Sequence, residues 1–215
     1  MLAAPPVGLR ATLAESRSAT RVVQSKLESK FWLQKLPSPD EVRPACCVWC
    51  GAAAREPGRS LGIVGHGVRD RQQRGPTAAD AEPAVIAVPV RRYLCVRCET
   101  TMTVVPREVE PRRHYSKPAI ALALARLGLL GETATAIRRA VCSWPIIATE
   151  GWPMLRRWIR AVSRGALFPS ARPRPGAVAA EIATRVAQVA LAHAPPTERG
   201  APALALVFAG AIAMA

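Results

Sequence analysis

Aromatic side chains are scarce in this 215-residue sequence. Aromatic residues make up 5% of the chain, and alanine supplies much of its apolar content. Because an alanine buries little area, the core of so long a chain is expected to be thin. A thin core makes a bound metal useful as an additional source of stability.

Long apolar runs are lacking as well. The longest covers residues 201–215, which is shorter than the roughly 20 residues that a membrane-spanning helix needs. It predicts a buried C-terminal helix, the alternative being a tail anchor, and we expect no membrane contact. Residues 1–10 hold a single basic residue and no apolar run long enough for a secretory signal. Together with six cysteines, this pattern predicts a cytoplasmic protein whose thiols stay reduced.

Acidic residues are half as numerous as basic ones. The chain has 30 Lys and Arg against 15 Asp and Glu, a formal net charge of +15, and nearly all of the excess is arginine. The planar guanidinium matches phosphate oxygens and guanine edges, so the balance favours a polyanionic partner, chiefly nucleic acid. A GC-rich genome also enriches a protein in arginine and alanine, so composition alone does not select this partner.

Two pairs of cysteines have the spacing of metal ligands. Cys47 and Cys50 form the first pair, and Cys95 and Cys98 form the second. A two-residue gap lets one tight turn direct both sulfurs to the same ion, and four thiolates suit the tetrahedral geometry of Zn²⁺. Four protein thiolates leave no position for a catalytic water. The sequence therefore predicts a structural zinc site.

Other assignments of these side chains stay open in the sequence. Cys46 is a looser substitute for Cys47, and His66 is either a competing ligand, a surface residue or a phosphate contact. A dithiol redox site or chance placement is the alternative to zinc. Cys142 stands alone in an apolar segment and is predicted to be a core residue. The long separation of the two pairs is tolerable, because the cost of closing a loop grows slowly with its length.

Hydrophobic periodicity and turn residues predict a hairpin between helical segments. The predicted strands cover residues 61–64, 85–93 and 100–105, with a loop at 69–83. The predicted helices cover residues 12–36, 116–130, 132–141, 149–164 and 178–194. Ser116 and Thr149 are the predicted caps of two of them, and Gly131 is the predicted end of the helix that Ser116 begins.

This order of elements predicts an α+β fold. We expect a small β-hairpin zinc ribbon followed by a helix-turn-helix three-helix unit, with additional N- and C-terminal helices. The predicted divisions are an N-terminal helix and linker at 1–43, the zinc ribbon at 44–111, the helix-turn-helix at 112–168, and a linker with C-terminal helices at 169–215.

The predicted helix at 149–164 has the character of a recognition helix. Its apolar face is formed, at helical spacing, by Leu155, Trp158, Ile159 and Val162. Arg156, Arg157 and Arg160 fall on the remaining surface, where they could offer guanidinium groups to a DNA groove. The alternative is a basic surface helix that contacts no ligand.

Several segments carry a family resemblance. They are CVWCG at 47–51, GHGVRDR at 65–71, VRRYLCVRC at 90–98, TVVP at 103–106 and RRHYS at 112–116. Together they resemble the zinc-ribbon head of bacterial insertion-sequence transposases and their uncharacterised relatives. In that family a helix-turn-helix follows the ribbon, and residues 116–164 are similar to it. The resemblance implies recognition of DNA ends by this half of the chain.

The resemblance does not extend to catalysis. Transposases of the acidic-triad type use three carboxylates to hold two metal ions. Beyond residue 111 the acidic residues of this sequence are Glu132, Glu150, Glu181 and Glu198. We therefore predict a non-enzymatic bacterial DNA-binding protein, transposase-like but without a catalytic domain or a small-molecule substrate, or a remnant of a transposase.

The predicted DNA contacts form one basic surface. They are Arg156, Arg157 and Arg160, extended by Arg91, Arg92, Arg97, Arg112, Arg113 and Lys117. The alternative function is a zinc-ribbon module that binds protein or RNA without sequence-specific DNA binding.

Overall fold

The computed structural model describes residues 21–111, 113–144, 152–198 and 200–214. Over these residues the chain is α+β, with one four-stranded mixed sheet and six helices. The strands are Val22–Gln24 (β1), Ile63–Gly75 (β2), Ala84–Cys95 (β3) and Thr101–Val105 (β4). The helices are Ser29–Gln34 (α1), Lys117–Leu130 (α2), Ala134–Val141 (α3), Pro153–Ser163 (α4), Ala179–Ala192 (α5) and Ala203–Ala213 (α6).

The sheet has the strand order β1-β4-β3-β2. Strands β2 and β3 form a long antiparallel hairpin in which Ile63 lies opposite Cys95 and Gly75 lies opposite Ala84. Strand β4 continues antiparallel to β3, and β1 adds to β4 in parallel. The hairpin and the short third strand are confirmed in type and order.

The prediction of one helix over residues 12–36 is wrong within the part of that segment that the structure describes. Val22–Gln24 is a strand, and only Ser29–Gln34 is helical. Val22 and Val23 pair with Thr103 and Val104 at the sheet edge, where β-branched side chains pack well. This tertiary pairing overrides the helical spacing of the apolar residues. Residues 12–20 lie outside the described residues.

The predicted loop at 69–83 is too long. Strand β2 continues to Gly75, so that the connection covers residues 76–83. Asp70 and Gln72 are exposed on this strand, whereas Gln73 is buried. Polar residues occur here because β2 is an edge strand with an exposed surface, and their polarity resembles that of a loop.

The helix ends in the C-terminal half follow local signals. The Ser116 hydroxyl accepts a hydrogen bond from the N–H of Ala119, and α2 ends at Gly131 with a φ of 64°. Both were predicted. The Thr133 hydroxyl caps α3 in the same way. The predicted cap Thr149 lies outside the described residues.

The buried side chains form two groups, one on each side of residues 110–114. The sheet group includes Trp32, Ile63 and Tyr93, and the helical group surrounds α2. Every residue of α2 from Lys117 to Ala125 is buried. Helix α2 packs against α3, α5 and α6, and it is therefore the central helix.

Helix α5 lies very close to both α2 and α6. A Cβ added to Gly128 of α2 would overlap the backbone of Thr184, and one added to Gly210 of α6 would overlap the backbone of Ala190. The Thr184 hydroxyl also donates to the Gly128 carbonyl at 2.9 Å. The predicted C-terminal helix is present, and it buries one face, with Val207 and Ala211 in the core. Within the described ranges, no helix combines the length and apolar character that crossing a bilayer requires.

Candidate metal centre

Four cysteine side chains meet where the β2–β3 hairpin begins and ends. The Sγ atoms of Cys47 and Cys98 lie 3.7 Å apart, and those of Cys50 and Cys95 lie 3.6 Å apart. All four sulfurs lie within 4.8 Å of one another. These distances are far longer than the roughly 2.05 Å of a disulfide bond, and all four are free thiols. The four thiols form a cluster that could hold a metal ion.

The first knuckle is the turn that carries Cys47 and Cys50. The Gly51 N–H donates to the Cys47 carbonyl at 2.9 Å, and the Cys47 N–H donates to the Ala52 carbonyl at 2.8 Å. The Trp49 N–H donates to the Cys47 sulfur at 3.4 Å. Gly51 has a φ of 70°, in the left-handed region that glycine enters at little cost. The turn therefore brings both sulfurs to the same side.

The second knuckle repeats this turn at Cys95 and Cys98. The Glu99 N–H donates to the Cys95 carbonyl at 2.8 Å, and the Cys95 N–H donates to the Thr100 carbonyl at 3.0 Å. Glu99 occupies the position of Gly51 and has a φ of 56°. A glutamate in this conformation is strained. Nothing in the sequence marks this residue apart from its place after the second cysteine.

Cys47, Cys50 and Cys98 differ in acidity before any metal binds. Burial raises the pKa of Cys50 to about 12, and burial also raises the pKa of Cys47. Burial acts in the same direction on Cys98, but hydrogen bonds from Thr100 and from neighbouring thiols outweigh it and lower the pKa of Cys98 to about 7. Cys98 therefore ionises before Cys47 and Cys50. A cation at the centre would have to displace protons from those two thiols.

The remaining cysteines and His66 lie outside the cluster. Cys46 is exposed, so the structure places Cys47 rather than Cys46 among the four sulfurs. His66 is exposed on β2, beside an irregularity in the pairing between Gly65 and Val68. Cys142 is half-buried and packs against the helical core, in agreement with its predicted role.

Helix α4 presents its predicted apolar face to the core. Leu155, Trp158 and Val162 are buried. Trp158 also belongs to a triangle of edge-to-face aromatic rings, with centroids 5.1 Å from Tyr115 and 4.9 Å from Trp152. Tyr115 directly precedes the cap of α2, and so the triangle fixes α4 against the connection from the sheet. The sequence shows these rings but not their convergence.

The arginines predicted on α4 are exposed. Arg156, Arg157 and Arg160 all point away from the core, and none pairs with a carboxylate among the described residues. Because no acidic group of the described residues neutralises them, we infer that their guanidinium groups are available to an external anion.

The other predicted contacts differ in accessibility. Arg97 is exposed on the second knuckle, and Arg91 and Arg92 are half-buried on β3. The Arg91 Nε donates to the Pro37 carbonyl at 2.6 Å.

Glu110 neutralises two of the residues that were predicted to contact DNA. Lys117 is only 9% exposed, and its amine lies 3.1 Å from Glu110. Arg113 pairs with the same carboxylate at 3.4 Å. Arg112 lies outside the described residues. Of the five described residues that extend the predicted surface, Arg97 is the one that the structure shows exposed.

No family model, curated protein or solved structure matches this sequence.

Proposed function

We propose that this chain is a DNA-binding protein folded around a structural zinc ion. In this proposal it is transposase-like, it acts in the bacterial cytoplasm, and it has no catalytic domain. The observation that supports it best is the combination of a four-thiol cluster with a row of exposed arginines on α4 that pair with no carboxylate of the described residues. The aromatic triangle joins α4 to the connection from the sheet.

Zinc fits the cluster because of its bond length and ligand preference. A Zn–S bond of about 2.3 Å in a tetrahedron gives sulfur–sulfur separations of about 3.8 Å. The measured pairs at 3.6 and 3.7 Å agree with that value. When bound, zinc would supply folding free energy, which reaches about 10–16 kcal/mol in small finger peptides. Four thiolates fill its coordination shell, so the role proposed for the metal is structural.

In this proposal the two knuckles and the β2–β3 hairpin form a zinc ribbon, and α2 to α4 form the helix-turn-helix unit. Helix α4 takes the part of the recognition helix. Its buried face packs on α2 and α5, and its arginines face outward. Guanidinium groups on such a surface can bind phosphates or the edge of guanine in the major groove.

Two triple variants test the role of α4. The first replaces Arg156, Arg157 and Arg160 by Ala. The second, matched control replaces Arg55, Arg59 and Arg174, which are exposed but already paired with Asp40, Glu56 and Glu181. Both variants remove three positive charges, so a general charge effect acts on both.

The measurement is fluorescence anisotropy of a labelled DNA duplex, selected from a random pool, across a range of salt concentrations. We expect the α4 variant to bind more weakly and its salt dependence to fall by roughly 0.9 in log–log slope for each phosphate that the variant no longer neutralises. The control variant should bind like the natural protein. Equal weakening of both variants, or a natural protein whose affinity ignores salt, would count against the proposal.

One observation favours the alternative of a protein- or RNA-binding module. The second residue of each knuckle is an exposed valine: Val48 is 49% and Val96 57% exposed. Apolar side chains at both tips could dock on another macromolecule. Under the DNA-binding proposal, replacing both valines by Thr leaves DNA affinity unchanged. An α4 variant that keeps its DNA binding but loses a contact with a partner protein would favour the alternative.

A further inference from the structure

Trp144 is the exposed tryptophan of this chain. Its side chain is 55% exposed, whereas Trp32, Trp152 and Trp158 are buried and Trp49 is half-buried. Tryptophan has a large apolar surface, so leaving more than half of it in water is informative about function. In a sequence with so few aromatic residues, this ring has no evident role in the core.

One side of the Trp144 ring lies against Arg74. The Arg74 Cζ is 5.1 Å from the ring centroid, within the range of a cation–π contact. The backbone of Arg74 is held in place, because its N–H donates to the His114 carbonyl at 2.7 Å and its carbonyl accepts from Ser116. The Trp144 ring therefore packs on a residue whose backbone is fixed at the junction of the hairpin and α2.

The surroundings of this pair are positively charged. Arg71, Arg74 and Arg138 form no ion pair with a carboxylate in the part of the chain that the structure describes. Burial, together with the charges of Arg74 and Arg71, holds the pKa of His114 below its usual value. Burial raises the pKa of Tyr115, and the charges of Arg74 and Arg138 oppose that rise. The three guanidinium groups therefore act on the same small region.

Glu110, whose charge acts on Arg71, does not cancel this positive charge. The two carboxylate oxygens of Glu110 form ion pairs with Lys117 and Arg113. The Arg71 guanidinium instead donates to the carbonyls of Glu110 and Arg113, at 2.7 and 3.1 Å. An external anion would find an excess of positive charge beside an exposed aromatic ring.

We propose that Trp144, stacked on Arg74, binds an unpaired base of a nucleic acid strand, whose phosphates are attracted by Arg71 and Arg138. A flat base suits the open part of the ring, and an aromatic ring flanked by arginines is how proteins hold single strands without reading sequence. An acidic peptide would use the arginines but would gain little from the ring. The inference rests on the proposed function and adds that the DNA carries an unpaired end or segment.

The test uses the full, zinc-loaded chain and three labelled probes at one salt concentration. They are a blunt duplex, the same duplex with a short single-stranded thymine overhang, and a thymine oligonucleotide. We expect the overhang to increase affinity. Stacking of one base contributes about 1–3 kcal/mol, so Trp144→Ala should weaken binding of the overhang probe about 5- to 150-fold. Its affinity for the blunt duplex should not change.

Two further variants control for the loss of an aromatic side chain. Trp144→Phe keeps a ring and should retain most of the overhang preference. Phe31→Ala removes another aromatic side chain of similar exposure, 50%, from α1 and should leave all three affinities unchanged. Equal effects of Trp144→Ala on blunt and overhang probes, or no effect on either, would refute the stacking site. Competition by polyglutamate as effective as that by the thymine oligonucleotide would also refute it, since that result indicates a site for acidic peptides.

The same data separate this inference from the proposed function. If the α4 triple variant keeps its duplex affinity while Trp144→Ala loses the thymine oligonucleotide, the α4 proposal fails and the stacking site stands. If the α4 variant loses the duplex and the overhang gives no advantage to the natural protein, the stacking site alone fails.

Discussion

Gly51 and Glu99 hold the same position in the two knuckles, directly after the second cysteine. Both have positive φ angles, 70° and 56°. The conformation is nearly free of strain for glycine, whereas for a residue with a Cβ it costs roughly 1–2 kcal/mol. The cysteine spacing could be recognised in the sequence because two short turns are local features. The strain at Glu99 could not be recognised in the sequence, because glutamate does not indicate a left-handed conformation.

This asymmetry predicts opposite effects of two substitutions. Glu99→Gly should raise the free energy of unfolding of the metal-loaded protein by about 1 kcal/mol, because it removes the strain. Gly51→Ala should lower it by a similar amount, and an added Cβ at Gly51 would meet no atom within 4 Å, so only the backbone strain acts. Denaturant titration of both variants measures the two changes. A loss of stability in Glu99→Gly would show that the side chain itself is needed.

The cysteines allow an equally local prediction. Cys50→Ser and Cys98→Ser should each lower zinc content and unfold the hairpin, because each removes one of four convergent sulfurs. Cys46→Ser is the matched control, since Cys46 neighbours the site but lies outside the cluster. Zinc content after dialysis and circular dichroism report the outcome. Zinc loss in the Cys46 variant with retention in the Cys50 variant would reverse the ligand assignment.

Among the elements, the ends of α2 and the local β2–β3 hairpin were predictable, whereas the long-range pairing of β1 with β4 was not. Ser116 and Gly131 mark α2 because capping depends on a few adjacent residues. Strand β1 was missed because its partner, β4, lies far away along the chain. Strand β2 was shortened in the prediction because its exposed polar residues resemble a loop. Hydrophobic periodicity does not indicate which distant strands pair, nor which strand lies at an exposed edge of the sheet.

The aromatic triangle around Trp158 is expected to anchor α4. Trp158→Ala should lower the free energy of unfolding by about 3–5 kcal/mol, because the ring is 1% exposed and belongs to the aromatic triangle. Chemical denaturation followed by circular dichroism measures the change. Trp144→Ala is the control, with an expected loss of less than about 1 kcal/mol because its ring is mostly in water. Similar losses in the two variants would mean that the triangle does not hold α4.

The close contact between α2 and α5 leads to a prediction about Gly128. Gly128→Ala should destabilise the protein by about 1–3 kcal/mol, because the new methyl group overlaps the backbone of Thr184 and forces the helices apart. Gly65→Ala adds the same group where its nearest neighbour, the Pro39 Cβ, is 3.8 Å away. Thermal melting compares the two variants. A melting temperature for Gly128→Ala equal to that of Gly65→Ala would show that the helices are not so closely packed.

At the scale of the whole molecule, the sheet and the helices have separate cores joined by a short connection. Glu110 binds Lys117 and Arg113 there, and Tyr115 packs on α4. The order of these parts could be predicted from the sequence, since cysteine spacing and helical periodicity follow one another along the chain. Their junction could not, because it depends on an ion pair and an aromatic cluster that only the folded chain assembles.

Because the knuckles close the hairpin, we expect removal of the proposed zinc ion to affect both the hairpin and the DNA binding that we propose for this chain. Chelation should unfold the hairpin and lower DNA affinity, and added zinc should restore both. Circular dichroism and anisotropy on the same samples follow the two effects. Full DNA affinity in the chelated protein would show that DNA binding does not depend on a metal in the four-cysteine cluster.

The four-sulfur site is tested most directly by zinc-edge X-ray absorption on the purified full chain, combined with elemental analysis. We predict one zinc ion per chain, surrounded by four sulfur atoms at about 2.3 Å. A protein that purifies without zinc, or a metal shell in which nitrogen or oxygen replaces one of the four sulfurs, would contradict the assignment of Cys47, Cys50, Cys95 and Cys98.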